Sequence, residues 1–572
     1  MKWQDKYQEW RTDPKLDSIM SEQLKVLSDP MMLEERFYDY LAFGTGGMRG
    51  ELGVGTNRMN SYTIRRVALG LATYIQEEGA MEQGVVIAFD NRHGSKEFAE
   101  WTARVLASRG IRVYLSDQLR PTPELSFLVR YYEAFAGVMI TASHNPKQYN
   151  GFKVYGADGG QITLMTAERL MSILNSIQNE LTIEADSLLT YVDEGLVHIF
   201  GEEVDTQYLE ALGNVIQDQE KVRQFGSKLS VVYTPLHGAG NCLMQKAFKQ
   251  IGFTNLHIVE EQAIPDPDFS TVTSPNPENR EAFTLALSKA EKISAQLVIA
   301  TDPDADRLGV VVLKEGQSVF LTGNQIGVLL LDYLIRVKQS KSENLENYFL
   351  AKTIVTSDLG AKIAEDFGIE VRNTLTGFKF IGEQIQLSEK VGDKNFLIGY
   401  EESYGYLIAP FVRDKDAIQA AVLLAETALD CSLCGEDLVD RLIGIYEHYG
   451  YYEEQLETQI FSGREGISRM RQQLDRLRTL SFSSLDTFEL ACREDYQVSE
   501  RMVVGQKVEK LTLPSSNVLK YIFKDCSWIC LRPSGTEPKF KIYYSVNAES
   551  QESAKQKLIH LKRAFKKLME EL

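Results

Sequence analysis

Two short segments of this chain combine residue types that bear directly on chemistry. Ser143 lies in Thr141-Ala142-Ser143-His144-Asn145-Pro146. A serine hydroxyl is a weak nucleophile and needs a base, a metal or strict placement to react. His144 and Lys153 are close enough in sequence to serve it. By itself, Asn145-Pro146 signals only a turn. The second segment is Asp302-Pro303-Asp304-Ala305-Asp306-Arg307. Alternating carboxylates on an extended loop face one side and can bind a hard cation. A calcium loop also begins Asp-x-Asp-x-Asp, but it carries Gly at the sixth position and Glu at the twelfth. Arg307 and Leu313 stand there instead, so that reading fails. Three carboxylates leave room for another oxygen ligand, as Mg2+ in phosphoryl transfer requires. The plainer alternative is a solvated acidic turn.

Two further loops offer complementary groups. Glu401 and Ser403, with Glu402 between, pair carboxylate with hydroxyl, which suits vicinal sugar hydroxyls that both donate and accept. A surface pair of glutamates is the alternative. Arg532, Ser534, Gly535, Thr536 and Lys539 combine a guanidinium, two hydroxyls and a glycine that lets backbone N–H groups approach an anion. A Pro/Gly turn with incidental charge is the competing reading. The Gly-rich loop 43–50 ends in Arg49 and Gly50 and lacks the lysine of a nucleotide-binding P-loop. Thr376-Gly377-Phe378-Lys379 precedes a helix whose N-terminus could meet an anion.

The elements that must position these loops form a plan repeated three times. Apolar strands are expected at 85–89, 111–115 and 136–140, with helices at 95–108 and 123–132. A second copy has strands at 229–233, 256–259 and 296–300, with helices at 242–251 and 280–292. A third has strands at 348–354, 369–371 and 396–398, with helices at 359–367 and 381–388. Alternation of strand and helix predicts α/β domains with mixed, largely parallel sheets. Ligands in such sheets sit beyond the carboxyl ends of strands. The loops at 143, 302 and 401 each follow the last strand of their copy, so three equivalent loops could line one central cleft.

The tail differs. Strands are expected at 518–523, 527–531 and 540–546, followed by a helix over about 549–572, which reads as a C-terminal α+β domain. The resulting division is an N-terminal helical extension at 1–40, broken at Pro30, and domains at 41–210, 211–324, 325–450 and 451–572.

Totals narrow the function. The chain has 572 residues and a net charge of −18, which disfavours nucleic acid and anionic membranes while leaving room for a locally cationic cleft. Six cysteines are too few for a disulfide scaffold, and Cys431-x-x-Cys434 lacks a second pair to complete a zinc site. The N-terminus carries charge without an apolar signal core, and no apolar run approaches about 18 residues, so a cytoplasmic location is expected.

In their order and over nearly the whole chain, these motifs resemble the α-D-phosphohexomutase superfamily: Thr-Ala-Ser-His-Asn-Pro at Ser143, Asp-Pro-Asp-Ala-Asp-Arg at 302–307, Glu-Glu-Ser at 401–403, and Arg-Pro-Ser-Gly-Thr-Glu-Pro at 532–538, joined by the segments at 43–50 and 376–379. The resemblance implies that Ser143 is phosphorylated and that Asp302, Asp304 and Asp306 hold Mg2+ with a phosphoserine oxygen as a further ligand. It implies that Arg307 steadies that loop, that Glu401 and Ser403 hold sugar hydroxyls, and that Arg532, Ser534, Gly535 and Thr536 hold the phosphate not being transferred. Arg49, His144, Lys153 and Lys415 become active-site contacts, with His144 and Lys153 candidates for acid/base assistance, and Thr376 and Gly377 join the substrate side. The expected partner is a hexose phosphate, with glucose 1,6-bisphosphate as intermediate and activator. Length, N-terminal extension and the Glu-Glu-Ser triplet resemble bacterial phosphoglucomutases more than phosphoglucosamine mutases; phosphomannose and phosphopentose substrates are the alternatives, and a sugar-phosphate binding protein without turnover is a third reading. The segment Asp90-Asn91-Arg92-His93-Gly94 stands out without an assignable role.

Overall fold

Strands Val85–Phe89 and Ala136–Ile140 are buried at every position, as strands covered on both faces are. Their alternation divides them between two cores. Val85, Ile87 and Phe89 pack with Ile64, Val67 and Leu71 of the helix Ser61–Glu77 on one face. Val86 and Ala88 pack with Leu125, Leu128 and Val129 of the helix Thr122–Tyr131 on the other. The computed structural model describes residues 2–461, 463–533 and 539–571.

One four-strand unit recurs three times. In the first sheet, Val85–Phe89 lies between Val113–Ser116 and Ala136–Ile140, all parallel, and Tyr149–Gly156 returns antiparallel beside Ala136–Ile140. In the second, Val231–Thr234 lies between Leu256–Ile258 and Leu297–Thr301, with Leu308–Lys314 returning antiparallel. In the third, Tyr348–Thr353 lies between Glu370–Thr374 and Asn395–Glu401, with Gly405–Leu407 returning. The three copies expected from the sequence are present. Their antiparallel return strands were not expected. Tyr149–Gly156 and Gly405–Leu407 carry glycines and little β-branching, which masks them as strands. The Gly-rich segment expected to be a loop also needs correction. Gly47–Glu51 is an edge strand paired antiparallel to Tyr149–Gly156.

The fourth unit is an antiparallel sheet in which Lys539–Ala548 lies between Tyr451–Ile460 and Trp528–Pro533. The helices Gly463–Thr479 and Gln551–Glu571 contribute Leu474, Leu477, Leu561 and Phe565 to its core. Its other face sets Trp528, Cys530 and Tyr543 against Ile354, Val355 and Leu375 of the third unit. The second and third sheets share one core, in which the helix Ala417–Leu433 is buried along most of its length. At the N-terminus, Pro30 opens the helix Pro30–Phe37 behind the cap Asp29. Trp10 Nε1 donates to Glu180 Oε1 at 2.6 Å and ties the extension to the first unit. Among the described residues no single helix is long and apolar enough to cross a membrane.

Candidate active site

Each chemically loaded loop is the turn between the third strand of its unit and the antiparallel return, at 141–148, 302–307 and 402–404. Each holds a non-glycine residue in the left-handed region: Ser143 at φ 51°, Ala305 at φ 50° and Tyr404 at φ 65°. Such backbone persists only where its surroundings over-determine it, and it clusters at functional sites. The Ser143 N–H donates to Thr141 Oγ1 at 2.8 Å, and the Asn145 N–H closes a turn on Ala142 O at 3.1 Å. Gly151 runs close behind. A Cβ there would lie 2.5 Å from Thr141 O, so only glycine fits. Ser143 is 3% exposed. Its Oγ donates to Asp302 Oδ2 at 2.5 Å and lies 3.1 Å from His144 Nδ1. Burial, with Arg307 and Arg49 nearby, pushes the His144 pKa well below its ordinary value, so the imidazole is neutral at neutral pH.

Asp302, Asp304 and Asp306 converge so that one oxygen from each lies within 4.8 Å of the others. Alternation along an extended loop is not the cause. Residues 303–305 turn, with the Ala305 N–H bonded to Asp302 O at 2.9 Å, and it is this turn that gathers the carboxylates. The N–H groups of Asp306 and Arg307 donate to Asp302 Oδ1 at 3.2 and 3.0 Å. Burial, reinforced by Asp304 and Asp306, pushes the Asp302 carboxyl well above the usual range. Burial would do the same to Asp304, but Lys153, 2.8 Å away, holds it below that range. Lys415 lies 3.1 Å from Asp306 and 3.1 Å from Asp414. Lys153 and Lys415 both stay protonated, because these carboxylates outweigh the effect of their burial. Among the described residues, Asp304 Oδ1 and Asp306 Oδ1 are buried without a hydrogen-bond partner. Unsatisfied hard oxygens at one point fit a divalent cation such as Mg2+.

The third loop faces this group. Arg307 bridges to Gly405 across the two units and pairs with Glu278. A Cβ on Gly405 would lie 2.2 Å from Lys415 Cδ, so the glycine admits the lysine stem. Glu401 is buried and accepts the Gly377 N–H at 2.9 Å, so the first N–H at the helix Phe378–Val391 is already engaged. Thr376 Oγ1 is buried without a hydrogen-bond partner among the described residues. Burial and the neighbouring Glu401 push Glu402 up to about 7.

These loops open on a cleft of about 590 Å3, within the range of small-molecule sites. His144, Arg307, Thr376, Gly377, Glu401, Ser403, Lys415 and Arg532 line it. Ser143 and the three aspartates are buried behind this lining, in contact with His144, Arg307 and Lys415. Arg49 stands outside this lining, where Nη1 donates to Asn145 Oδ1 at 2.9 Å. Ser534, Gly535 and Thr536 lie outside the described residues. Several lining residues escaped the sequence reading. Lys541 sits directly across the strand pair from Arg532 and adds a second cation. Glu278 anchors Arg307, and its only sequence signal is the turn Asn276-Pro277 before it. Asp414 collects Tyr155, Gln161 and Lys415.

Comparison with known proteins finds three matching domains in the same order. Residues 41–181, 206–316 and 322–444 match the family models for alpha/beta/alpha domains I, II and III of phosphoglucomutase/phosphomannomutase. A phosphoglucomutase of Staphylococcus haemolyticus is 40% identical over 526 residues, covering 91% of this chain and 93% of the relative. One from Staphylococcus saprophyticus is 38% identical over 541 residues, covering 94% and 96%. The open form of parafusin, a phosphoglucomutase from Paramecium, superposes with a TM-score of 0.67 at 18% identity, covering 93% and 95%, a likeness of fold.

Proposed function

Because the chain belongs to the phosphoglucomutase/phosphomannomutase family, we propose that it interconverts glucose 1-phosphate and glucose 6-phosphate through a phosphoserine at Ser143. It is an enzyme, a phosphosugar mutase. The glucose substrate is carried over from the relatives named phosphoglucomutase at 38–40% identity over most of the chain. The observation that carries the serine assignment is the placement of Ser143 Oγ at 2.5 Å from Asp302 and 3.1 Å from His144, which lines a cleft that also presents Arg532 and Lys541.

In the proposed cycle the phosphate already on the sugar is held by Arg532 and Lys541, and the free hydroxyl is turned toward Ser143. Glu401 and Ser403 take the ring hydroxyls between these ends. The sugar oxygen forms a bond to the phosphorus of phosphoserine as the bond from phosphorus to Ser143 Oγ breaks, which yields glucose 1,6-bisphosphate. The hydroxyl proton passes to a neighbouring base. His144, neutral, can accept a proton, and Lys153, protonated, can give one. Lys153, Lys415 and Arg307 face the charge that develops on the phosphoryl oxygens. The bisphosphate then turns over and returns its other phosphoryl group to Ser143. Asp302, Asp304 and Asp306 would hold Mg2+, which would supply Lewis-acid stabilisation of the phosphoryl oxygens.

We assign the fold divisions 41–210, 211–324, 325–450 and 451–572 to the serine, metal, sugar and phosphate loops, and place the enzyme in the cytoplasm. The test offers glucose 1-phosphate, mannose 1-phosphate and ribose 1-phosphate with Mg2+ and a trace of bisphosphate. Glucose 1-phosphate should turn over fastest, and Ser143→Ala should lose nearly all of that turnover while keeping its fold. Failure to isomerise any of the three would sink the mutase reading.

A further inference from the structure

Behind the serine loop lies a buried guanidinium that touches none of the reacting atoms. Arg92 is 3% exposed. Its Nη2 donates to the carbonyl of Ser143 and, at 2.5 Å, to that of Asn145. Its Nη1 donates to the carbonyls of Pro146 and Tyr149 at 2.9 and 3.0 Å. One side chain thus gathers four carbonyls of residues 143–149. The guanidinium is itself fixed from behind. Asp90 Oδ2 lies 3.4 Å from Arg92 Nε, and Asp90 Oδ1 accepts the Arg92 N–H at 2.9 Å and the Ser95 hydroxyl at 2.6 Å. Asn150 closes the ring by donating to Ser95 Oγ and to His93 O, both at 2.9 Å.

The second unit reaches the same point. Phe269, itself at φ 50°, places its ring 5.0 Å from the Arg92 guanidinium, and Asn91 Nδ2 donates to Asp266 O at 3.0 Å. The segment that carries Phe269 therefore meets the arginine that shapes the serine loop, and it belongs to the unit that carries the three aspartates.

We propose that Arg92 is a positioning residue: it holds residues 143–149 in the turn that aims Ser143 Oγ at the aspartate cluster, and through Phe269 it keeps the serine loop in register with the second unit. The proposal rests on the reading of Ser143 as the phosphoryl carrier. The planar fork of arginine serves all four carbonyls at once. A lysine ammonium is a point charge with three donors and cannot span them. Without the fork the left-handed backbone at Ser143 loses the contacts that over-determine it. Displacement of a reacting group by roughly 1 Å can lower the rate by about 10²-fold without touching ground-state binding.

The test compares Arg92→Lys and Arg92→Gln with the wild-type enzyme. It measures kcat and KM for glucose 1-phosphate, the rate at which Ser143 acquires label from 32P-labelled glucose 1,6-bisphosphate, and the thermal transition, with rates taken per folded molecule. Both variants should lose about 10²-fold in kcat and in labelling rate while KM stays within about twofold. Folded variants with wild-type kcat and labelling rate would overturn the role. So would a rise in KM that accounts for the whole loss, or failure of both variants to fold, since the side chain would then serve substrate binding or the core. Absence of label on Ser143 in the wild-type enzyme would instead sink the phosphoserine reading, whatever the variants do.

Discussion

Glu402 lines the cleft with a pKa near 7, raised first by its burial and then by Glu401. Below that value it is neutral, and above it a second anion faces the incoming phosphate. KM for glucose 1-phosphate should therefore rise as pH passes from 6 to 8, and Glu402→Gln should flatten that rise in a steady-state pH series. Lys541→Ala removes a cation from the phosphate end of the cleft. A hydrogen bond to a charged group contributes about 1.5–3 kcal/mol, so KM should increase about tenfold or more. Unchanged KM in that variant would remove Lys541 from the phosphate site. These residues differ in how far the sequence announces them. Ser143 by itself reads as a serine in a proline-bounded turn and becomes a candidate only beside the other loops, while Asp302, Asp304 and Asp306 stand out as a triplet although the turn that gathers them does not. The backbone at φ 51° that presents the serine has no such signal, because the residue there is not a glycine. The role of Arg92, whose segment stands out in the sequence, and the presence of Lys541 are illegible for a related reason. Arg92 acts on carbonyls more than 50 residues away, and Lys541 meets Arg532 only through strand register.

The elements are read unevenly, and the reason is visible in their burial. The central parallel strands Val85–Phe89 and Leu297–Thr301 are buried throughout and announce themselves as apolar runs. The return strand Tyr149–Gly156 mixes Asn150, Gly151 and Lys153 with apolar residues, because one end serves the sheet and the other the site. The helix Thr122–Tyr131 shows how an element can position chemistry. Its first residue donates a backbone N–H to Asp304 O at 2.9 Å and a hydroxyl to Asp304 Oδ2 at 2.8 Å. In the same turn Glu124 is buried beside Asp205 and Arg120. Burial, with Asp205 adding to it, holds its pKa well above the ordinary 4.5. Stability associated with that proton is fully present below about pH 4.5 and is lost as pH rises through the folded value. The loss is about 1.4 kcal/mol for each pH unit that separates the folded and unfolded values. Glu124→Gln should therefore gain Tm relative to wild type between pH 5 and pH 8. A constant difference in calorimetric scans would show that Glu124 ionises normally in the fold.

At the scale of the molecule, four units contribute residues to one cleft although the chain carries a net charge of −18. The cleft gathers Arg307, Lys379, Lys415, Arg532 and Lys541, which offset Glu278, Glu401, Glu402 and Glu454 in the same lining. The threefold repeat is legible in the sequence because strand and helix alternate regularly. The shared core of the second and third units is not, since Ala417–Leu433 joins both sheets from one mostly apolar helix. The enzyme is proposed to use this arrangement for a single act, the exchange of a phosphoryl group between Ser143 and either end of a hexose. The most direct measurement incubates the phosphorylated enzyme, carrying 32P, with unlabelled glucose 1-phosphate and Mg2+, then follows the label by peptide mapping and sugar-phosphate separation. Label should start on the peptide that contains Ser143 and appear in glucose 1,6-bisphosphate and glucose 6-phosphate as the isomer forms. Label that leaves as inorganic phosphate without isomer, or that resides on a peptide lacking Ser143, would contradict the phosphoserine cycle.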